Sequence, residues 1–217
     1  MKVDVAAIVP AYNEEATVGG VVAALKSSPL LAEVIVVDDG SSDETAAVAQ
    51  ASGARVVRKP NGGKGSAVLA GVAATDAPVI ALFDADLEGL TSDHVERLLA
   101  PVLSGGRVMN CGLRDRGALT PLTSRLPLIS GERAMPRDVI ERIPPHLLRG
   151  FRLEAALNYF CRMNGLPYGA IPMPGLTMRR KYQKVGWKKG LVQYARMTGQ
   201  VVSAMVSVRL AHARGEF

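Results

Sequence analysis

The most constraining feature of the sequence is a short apolar run, Val79 to Phe83, that leads into two aspartates one residue apart, Asp84 and Asp86. Five consecutive apolar residues that begin with two β-branched side chains are typical of a strand buried on both faces, as in a parallel sheet. The carboxyl ends of such strands form the edge where open α/β sheets bind ligands. Paired carboxylates at that edge favour a hard cation such as Mg²⁺ or Mn²⁺. The alternative is that Asp84 and Asp86 only begin a turn or cap the next helix.

Strand-like and helix-like segments alternate along the first half of the chain. The predicted strands are short apolar runs rich in β-branched residues, at Val3–Val9, Val34–Val37, Arg55–Val57 and Val79–Phe83. The predicted helices follow the loops between these runs, at Thr17–Leu25, Glu44–Ser52 and Ser66–Ala74. We expect Pro10 to stop the first strand, because proline cannot continue a hydrogen-bonded ladder. The alternation predicts an α/β fold, with a mostly parallel sheet flanked by helices.

The second half of the chain contains further elements of both kinds. Strands are predicted at Arg107–Leu113, Tyr168–Pro172 and Leu176–Arg180. Helices are predicted at Ser92–Leu103, with Ser92 as the N-cap, at Arg137–Ile143, and from Gly150 to about Asn164. From Trp187 to about Ala213 the sequence predicts an amphipathic helix with one polar stripe. This C-terminal helix could pack on the domain, associate with a second copy in a homodimer, or lie on a membrane surface, and we prefer these options in that order.

A glycine-rich segment, Asn61-Gly62-Gly63-Lys64-Gly65, stands directly before a predicted helix. Glycine lets the backbone come close to a ligand, and a helix N-terminus beside a lysine suits a phosphate group. The spacing is not that of a P-loop. The alternative is a plain turn.

Basic residues concentrate in the last third of the chain. The 217 residues have a formal net charge of +6, with 48% hydrophobic and 21% charged residues, which excludes wholesale disorder and fits one domain. The clusters Arg179–Lys181 and Lys188–Lys189 predict contact with an anionic acceptor or an anionic lipid surface, and a solvated face is the alternative. Nucleic acid is not expected, because only Tyr182 and Trp187 stand near these clusters as stacking candidates.

The cysteines and the first residues give an expectation about the cellular compartment. Cys111 and Cys161 lack the paired spacing of a zinc site and are expected to be buried thiols. The sequence begins with a strand-like run rather than a secretory leader, and it has no stretch of about 18 uninterrupted apolar residues. We therefore expect a cytoplasmic protein, located at the inner membrane surface if its basic C-terminal part contacts lipid.

Four motifs stand in order at the ends of predicted strands: Pro10–Glu15, Val36–Asp43, Asn61–Gly65 and Asp84–Asp86. Together they resemble the family 2 glycosyltransferases of the GT-A fold, strongly over residues 1 to about 115 and more loosely beyond. The resemblance implies an enzyme that transfers a sugar from a nucleotide-diphosphate sugar. It also implies a nucleotide-sugar-binding half at 1–115, an acceptor-binding half of the same domain at 116–183, and a helical tail at 184–217.

The same resemblance implies which residues hold the donor. These are Pro10, Ala11, Tyr12, Glu14, Asp38, Asp39, Gly63, Lys64, Asp84 and Ala85. Lys64 would approach the nucleotide or its diphosphate, Asp84 would face the ribose or the metal, and Asp86 would ligate Mg²⁺ or Mn²⁺. A cation at that position would neutralise the negative charge that builds on the departing nucleotide.

A carboxylate is also expected on the acceptor side of the site. An inverting transferase needs a base that takes the acceptor's proton. Glu154 resembles the downstream acidic position of the family, and Glu132 is the second choice. The alternative for Glu154 is an ion pair with Arg152 or Arg149, or a favourable position at a helix N-terminus. If the acceptor is an ionised phosphate, no strong base is required, and Glu154 would orient groups or help to hold the metal.

The downstream segments resemble two branches of this superfamily, the polyprenyl-phosphate glycosyltransferases and the glucosyl-3-phosphoglycerate synthases, both of which use an anionic acceptor. The implied acceptor contacts are Glu132, Arg152, Arg179 and Arg180. In the synthase branch a histidine near the late arginines assists the metal, whereas this chain has Lys181, Tyr182 and Gln183 there. We therefore favour polyprenyl phosphate or another phosphate-bearing acceptor over phosphoglycerate.

Two other function classes are weighed against the transferase. A nucleotidyltransferase normally has a glycine-rich, arginine-containing loop after its first strand, and this chain has Pro-Ala-Tyr-Asn-Glu-Glu instead. A non-catalytic nucleotide-sugar sensor has no need of Asp84, Asp86 and Glu154 together.

Overall fold

The computed structural model describes residues 4–114, 130–148, 152–179 and 206–215. The strands are β1 (Val5–Ala11), β2 (Glu33–Asp38), β3 (Arg55–Arg58), β4 (Val79–Leu82), β5 (Leu87–Glu88), β6 (Met109–Arg114), β7 (Arg133–Pro136), β8 (Tyr168–Met173) and β9 (Thr177–Met178). The helices are α1 (Val18–Lys26), α2 (Thr45–Ala51), α3 (Lys64–Ala73), α4 (Ser92–Leu103), α5 (Arg137–Glu141) and α6 (Arg152–Met163), with a 3₁₀ turn at Pro145–Leu148 and a helical stretch over 206–213.

Seven of the strands form one sheet in the order β3-β2-β1-β4-β7-β6-β8. Strands β1 to β4 pair in parallel, as do β6 and β8, whereas β7 is antiparallel to both of its neighbours. Strands β5 and β9 form a separate antiparallel ladder. The predicted α/β fold with a mostly parallel sheet is therefore confirmed.

Helices cover both faces of this sheet and bury an apolar layer on each. One layer lies around Val22 of α1, Phe83 and Leu98 of α4. The other lies around Val68 of α3 and Phe160 of α6. Both faces of the central strands are thus removed from water, which is why their sequences are continuously apolar rather than alternating.

Strand β1 differs from the prediction because it continues through Pro10, which pairs with Val37 of β2. The prediction that Pro10 ends this strand is wrong. On the other side of β1, the pairing with β4 ends at Ile8 and Leu82, so the missing N–H group of proline does not interrupt that ladder. The extension carries Pro10 and Ala11 to the carboxyl edge of the sheet.

Helix α4 is capped by Thr91 rather than by Ser92, the predicted N-cap. The hydroxyl of Thr91 accepts the backbone N–H of His94, and His94 Nδ1 accepts the backbone N–H of Thr91 in return. The other ring nitrogen of His94 lies 3.0 Å from the carbonyl oxygen of Pro174. His94 therefore ties α4 to the loop between β8 and β9.

Several predicted features fall outside the described residues: Arg149, Arg180, the cluster Lys188–Lys189 and most of the C-terminal helix. The membrane and homodimer roles of the tail stay predictions. Its described end packs on the domain through Val208 and Ala211, which lie in the core.

None of the described helices is both long enough and apolar enough to span a lipid bilayer. Cys111 and Cys161 are free, buried thiols, as predicted.

Candidate active site

The carboxyl edge of the sheet holds a cleft of about 540 Å³. It is lined by Pro10, Ala11, Tyr12, Glu14, Asp39, Asn61, Gly63, Lys64, Ala67, Asp84, Ala85 and Asp86. Every residue that was expected to contact the donor therefore lies in this lining, with the exception of Asp38. The parallel strands β1, β2 and β4 all end here, so residues distant in sequence meet at one edge.

The loop after β1 and the loop after β2 are hydrogen-bonded to each other. Asn13, with a φ of 55°, donates its backbone N–H to Ser41 Oγ, and its side-chain oxygen accepts the backbone N–H of Ser42. The backbone N–H of Glu14 donates to Thr45 Oγ1 over 2.8 Å. These bonds hold Tyr12 at the mouth of the cleft, where its side chain is 48% exposed.

Asp39 is buried and holds the glycine loop. Its carboxylate accepts the backbone N–H groups of Gly62 and Gly63, the latter over 2.7 Å, and pairs with Lys59 at 2.5 Å. Asp38 instead accepts the backbone N–H of Ser41. In this structure the backbone donors of the loop expected to approach a phosphate are therefore satisfied by the carboxylate of Asp39, the residue directly after β2.

Lys64 begins α3 and reaches across the end of the cleft. Its Nζ lies 2.6 Å from Asp84 Oδ1 and 3.0 Å from Glu154 Oε1 at the first turn of α6. Burial alone would lower the pKa of Lys64, but the charges of Asp84 and Glu154 outweigh it and raise that pKa above its ordinary value. Among the described residues Glu154 pairs with Lys64 rather than with Arg152, one of the two arginines considered from the sequence. The other, Arg149, lies outside the described residues.

Asp84 lies between two cations. Lys64 contacts Oδ1, and the guanidinium of Arg114, at the end of β6, lies 3.7 Å from Oδ2. Burial would raise the pKa of Asp84, but these two neighbours hold it below its ordinary value. Arg114 was not among the expected site residues. Its position at the carboxyl end of a predicted strand is the one sequence signal that could have identified it.

Glu132 and Gly131 lie directly behind Asp84. The Glu132 side chain has no exposed surface, and its Oε2 lies 3.3 Å from Arg114 Nε and 2.7 Å from Ser130 Oγ. Burial, together with the charge of Asp84, raises the pKa of Glu132. The sequence analysis named Glu132 among the implied acceptor contacts. In this structure its side chain has no accessible surface with which to contact an acceptor.

Two of the three remaining acceptor candidates, Arg152 and Arg179, belong to the described residues. Arg152 is half-buried at the start of α6, and Arg179 is exposed after β9. The backbone N–H of Arg179 donates to the carbonyl oxygen of Asp86 over 2.9 Å, so the end of β9 is held against the second aspartate. Arg180 lies outside the described residues.

The residues present fit a hard divalent cation. Asp84 and Asp86 supply carboxylate oxygens, the ligands that Mg²⁺ and Mn²⁺ prefer. Gly131 leaves the space beside Asp84 open, since a Cβ atom there would lie 2.3 Å from Asp84 Oδ2. The described residues contain no group of three or more metal-binding side chains. Water and the oxygens of a ligand would therefore complete the coordination shell, as is usual for Mg²⁺.

Comparison with known proteins identifies the family. The model of glycosyl transferase family 2 matches residues 6–164. Glucosyl-3-phosphoglycerate synthase of Mycolicibacterium smegmatis is 30% identical over 94% of this chain and 77% of its own length. An uncharacterized glycosyltransferase of Mycobacterium tuberculosis is 45% identical, over 38% of this chain and 36% of its own length.

Solved structures agree with this assignment. The crystal structure of glucosyl-3-phosphoglycerate synthase from Mycobacterium tuberculosis with Mn²⁺, uridine-diphosphate-glucose and phosphoglyceric acid superposes with a TM-score of 0.77 at 27% identity, covering 94% of this chain and 79% of that one. The structure of the same enzyme with Mg²⁺ and uridine diphosphate matches to the same extent. The expected GT-A fold is confirmed, and the chain belongs to glycosyltransferase family 2.

Proposed function

We propose that this enzyme transfers glucose from uridine-diphosphate-glucose to phosphoglycerate in the presence of Mn²⁺ or Mg²⁺. The observation that carries the proposal is the convergence of Lys64, Asp84, Glu154 and Arg114 at the end of the cleft that the donor motifs line. The relatives that cover most of the chain act on these substrates by name, which supports phosphoglycerate over polyprenyl phosphate, the acceptor preferred from the sequence.

In this proposal the cleft receives the nucleotide and its far end receives the diphosphate. The half-exposed ring of Tyr12 offers a flat apolar face to the base. Asp84 and Asp86 would hold the cation, which when bound stabilises the charge of the departing diphosphate. Lys64 and Arg114 hold Asp84 in one orientation and add positive charge beside the leaving group.

Glu154 stands on the acceptor side of this arrangement. Phosphoglycerate presents a hydroxyl group, whose proton must be taken as the glycosidic bond forms. Polyprenyl phosphate presents an ionised oxygen that has no proton to lose. The side chain of Glu154 is 12% exposed and is fixed by Lys64, so it is the described carboxylate best placed to accept that proton.

The test is a transfer assay with the purified chain, Mn²⁺ and uridine-diphosphate-glucose, in which 3-phosphoglycerate and polyprenyl phosphate are compared as acceptors. We expect release of uridine diphosphate that depends on 3-phosphoglycerate, with glucosyl-phosphoglycerate detected by mass spectrometry. Glu154→Gln should abolish this transfer. Transfer to polyprenyl phosphate alone, unaffected by Glu154→Gln, would overturn the proposed acceptor, and donor binding without any turnover would favour the sensor.

We predict that Gly131→Ala severely weakens donor binding. The added methyl group would lie 2.3 Å from Asp84 Oδ2 and 2.6 Å from its Cγ, so the carboxylate must move. Misplacement of a reacting group by about 1 Å costs on the order of a hundredfold in rate. Calorimetry of uridine diphosphate with Mn²⁺ measures the loss of binding, and the transfer assay measures the loss of rate.

Gly20→Ala in α1 is the matched control for this substitution. A Cβ atom at Gly20 meets nothing within 4 Å. Alanine is favoured over glycine in a helix by about 1 kcal/mol, so this variant should be slightly more stable and fully active. Equal donor binding by Gly131→Ala and Gly20→Ala would show that Asp84 does not need its present position.

A further inference from the structure

A buried ion pair supports the active site from behind. Glu132 has no exposed surface, and its Oε2 contacts Arg114 Nε at 3.3 Å. Ser130 Oγ donates to the same carboxylate oxygen over 2.7 Å. The other oxygen, Oε1, is buried and has no hydrogen-bond partner among the described residues.

Stability alone is a poor explanation for this pair. A buried ion pair can often be replaced by well-packed apolar side chains with no loss of stability, because both charges must give up their hydration. The unpartnered Oε1 adds a further unfavourable contribution. A need to hold the guanidinium of Arg114 in one orientation would explain why Glu132 is buried beside it.

The group it contacts is the planar guanidinium of Arg114, which reaches two carboxylates at once. Nε faces Glu132, and Nη2 lies 3.7 Å from Asp84 Oδ2. The side chain of Arg114 is 13% exposed, so little of it is free to move into solvent. Because the nitrogens of a guanidinium have fixed relative positions, fixing Nε also fixes the direction of the nitrogens that face Asp84.

We propose that Glu132 is a positioning residue that acts through Arg114: it orients the guanidinium against Asp84 and thereby sets the carboxylate on which donor binding depends. This inference rests on the proposed function in one respect, namely that Asp84 belongs to the donor site. It assigns Glu132 a role in donor affinity rather than a contact with the acceptor. Lys64 holds Oδ1 of Asp84 independently, so the loss of Glu132 weakens the site without emptying it.

The experiment measures binding of nucleoside diphosphates by calorimetry in the presence of Mn²⁺, with uridine, guanosine and adenosine diphosphates as probes. Comparisons between variants use the diphosphate that the wild type binds most tightly. We expect Glu132→Gln and Arg114→Gln each to weaken binding about tenfold, the effect of losing one charge-assisted contact. The double variant should be no weaker than Arg114→Gln alone, because the two residues act as one unit.

Two further variants separate positioning from folding. Arg114→Lys keeps the charge, but a single ammonium group cannot face Glu132 and Asp84 together, so binding should fall nearly as far as in Arg114→Gln. Asn110→Ala removes another fully buried polar side chain from β6, one that donates to the carbonyl oxygen of Leu98. It should lower the melting temperature and leave the affinity for the diphosphate unchanged.

The outcomes distinguish this inference from the proposed function. Wild-type affinity in Glu132→Gln, or losses that simply add in the double variant, would overturn the positioning role of Glu132. Tighter binding of guanosine or adenosine diphosphate by the wild type would overturn only the uridine donor. If the wild type bound none of the three diphosphates, both the positioning role of Glu132 and the proposed function would be overturned.

Discussion

Replacing Asp86 with alanine should abolish sugar transfer and Mn²⁺-dependent donor binding while leaving the protein folded. Asp86 lines the cleft two residues after Asp84, and its side chain is the second carboxylate available to a cation there. A cation held at this place would contribute several kcal/mol to stabilisation of the leaving diphosphate, so we expect the rate to fall by about a thousandfold or more. The transfer assay and calorimetry with uridine diphosphate and Mn²⁺ measure the two losses.

The fold should survive this substitution because the contact that Asp86 makes with the end of β9 uses its backbone. The carbonyl oxygen of Asp86 accepts the N–H of Arg179, and a change of side chain leaves that bond available. We expect the free energy of unfolding to fall by about 1 kcal/mol, the typical effect of a single substitution. Glu88→Ala, an exposed acid two residues further on, removes the same charge and should be fully active. Unchanged transfer by Asp86→Ala would remove Asp86 from the site.

The sequence predicted the part of the site that depends on local patterns. Strands β1, β2 and β4 are continuous apolar runs, and each is followed by polar residues that the parallel topology must bring to one edge. That rule alone predicts that Tyr12, Asp39 and Asp84 lie together. The cleft lining confirms this grouping.

Strand β7 was missed because its sequence does not look buried. Ser130, Glu132 and Arg133 are polar or charged, yet the structure buries all three in or beside a central antiparallel strand. Their burial depends on partners from elsewhere in the chain, such as Asn158, which accepts from Arg133 over 2.8 Å. Hydropathy patterns describe single segments and contain no information about such partners.

The contacts of Glu154 and of the glycine loop were missed for the same reason. Glu154 was weighed against arginines two and five residues away, whereas its partner Lys64 lies 90 positions earlier in the chain. The glycine segment was expected to approach a phosphate, but the N–H groups of Gly62 and Gly63 donate to the carboxylate of Asp39, the residue directly after β2. In each case the sequence did not indicate the partner that the structure places beside the residue.

The second large effect is expected from Lys64→Met, because this one cation pairs with two carboxylates. Without it, Glu154 and Asp84 face each other across the end of the cleft, and Asp84 keeps the weaker compensation of Arg114, at 3.7 Å, and of the buried Arg133. Removal of one partner from a buried ion pair costs about 3–5 kcal/mol, and partial exposure of these side chains reduces the expected loss of stability to about 2 kcal/mol. Transfer should fall on the order of a hundredfold, because both carboxylates lose their fixed orientation.

The pH dependence of unfolding provides the more specific measurement. The pKa of Asp84 is lowered from 3.8 in the folded protein, so its pairing contributes stability above that pH, and the contribution is lost as the pH falls through the lower folded-state value. The pKa of Lys64 is raised from 10.5, so its contribution is lost only as the pH rises through the higher folded-state value. The wild type should therefore exceed Lys64→Met in stability by a constant amount between about pH 5 and pH 9, and the difference should shrink in acid.

Arg97→Met is the control, since it removes a cation from an exposed pair with Asp93 in which the side chains are 42% and 72% exposed. Such surface pairs contribute less than about 1 kcal/mol, so this variant should unfold almost like the wild type at every pH. Chemical denaturation at a series of pH values compares the three proteins. If Lys64→Met and Arg97→Met gave the same curve, Lys64 would be a solvated surface lysine rather than the cation that pairs with both carboxylates.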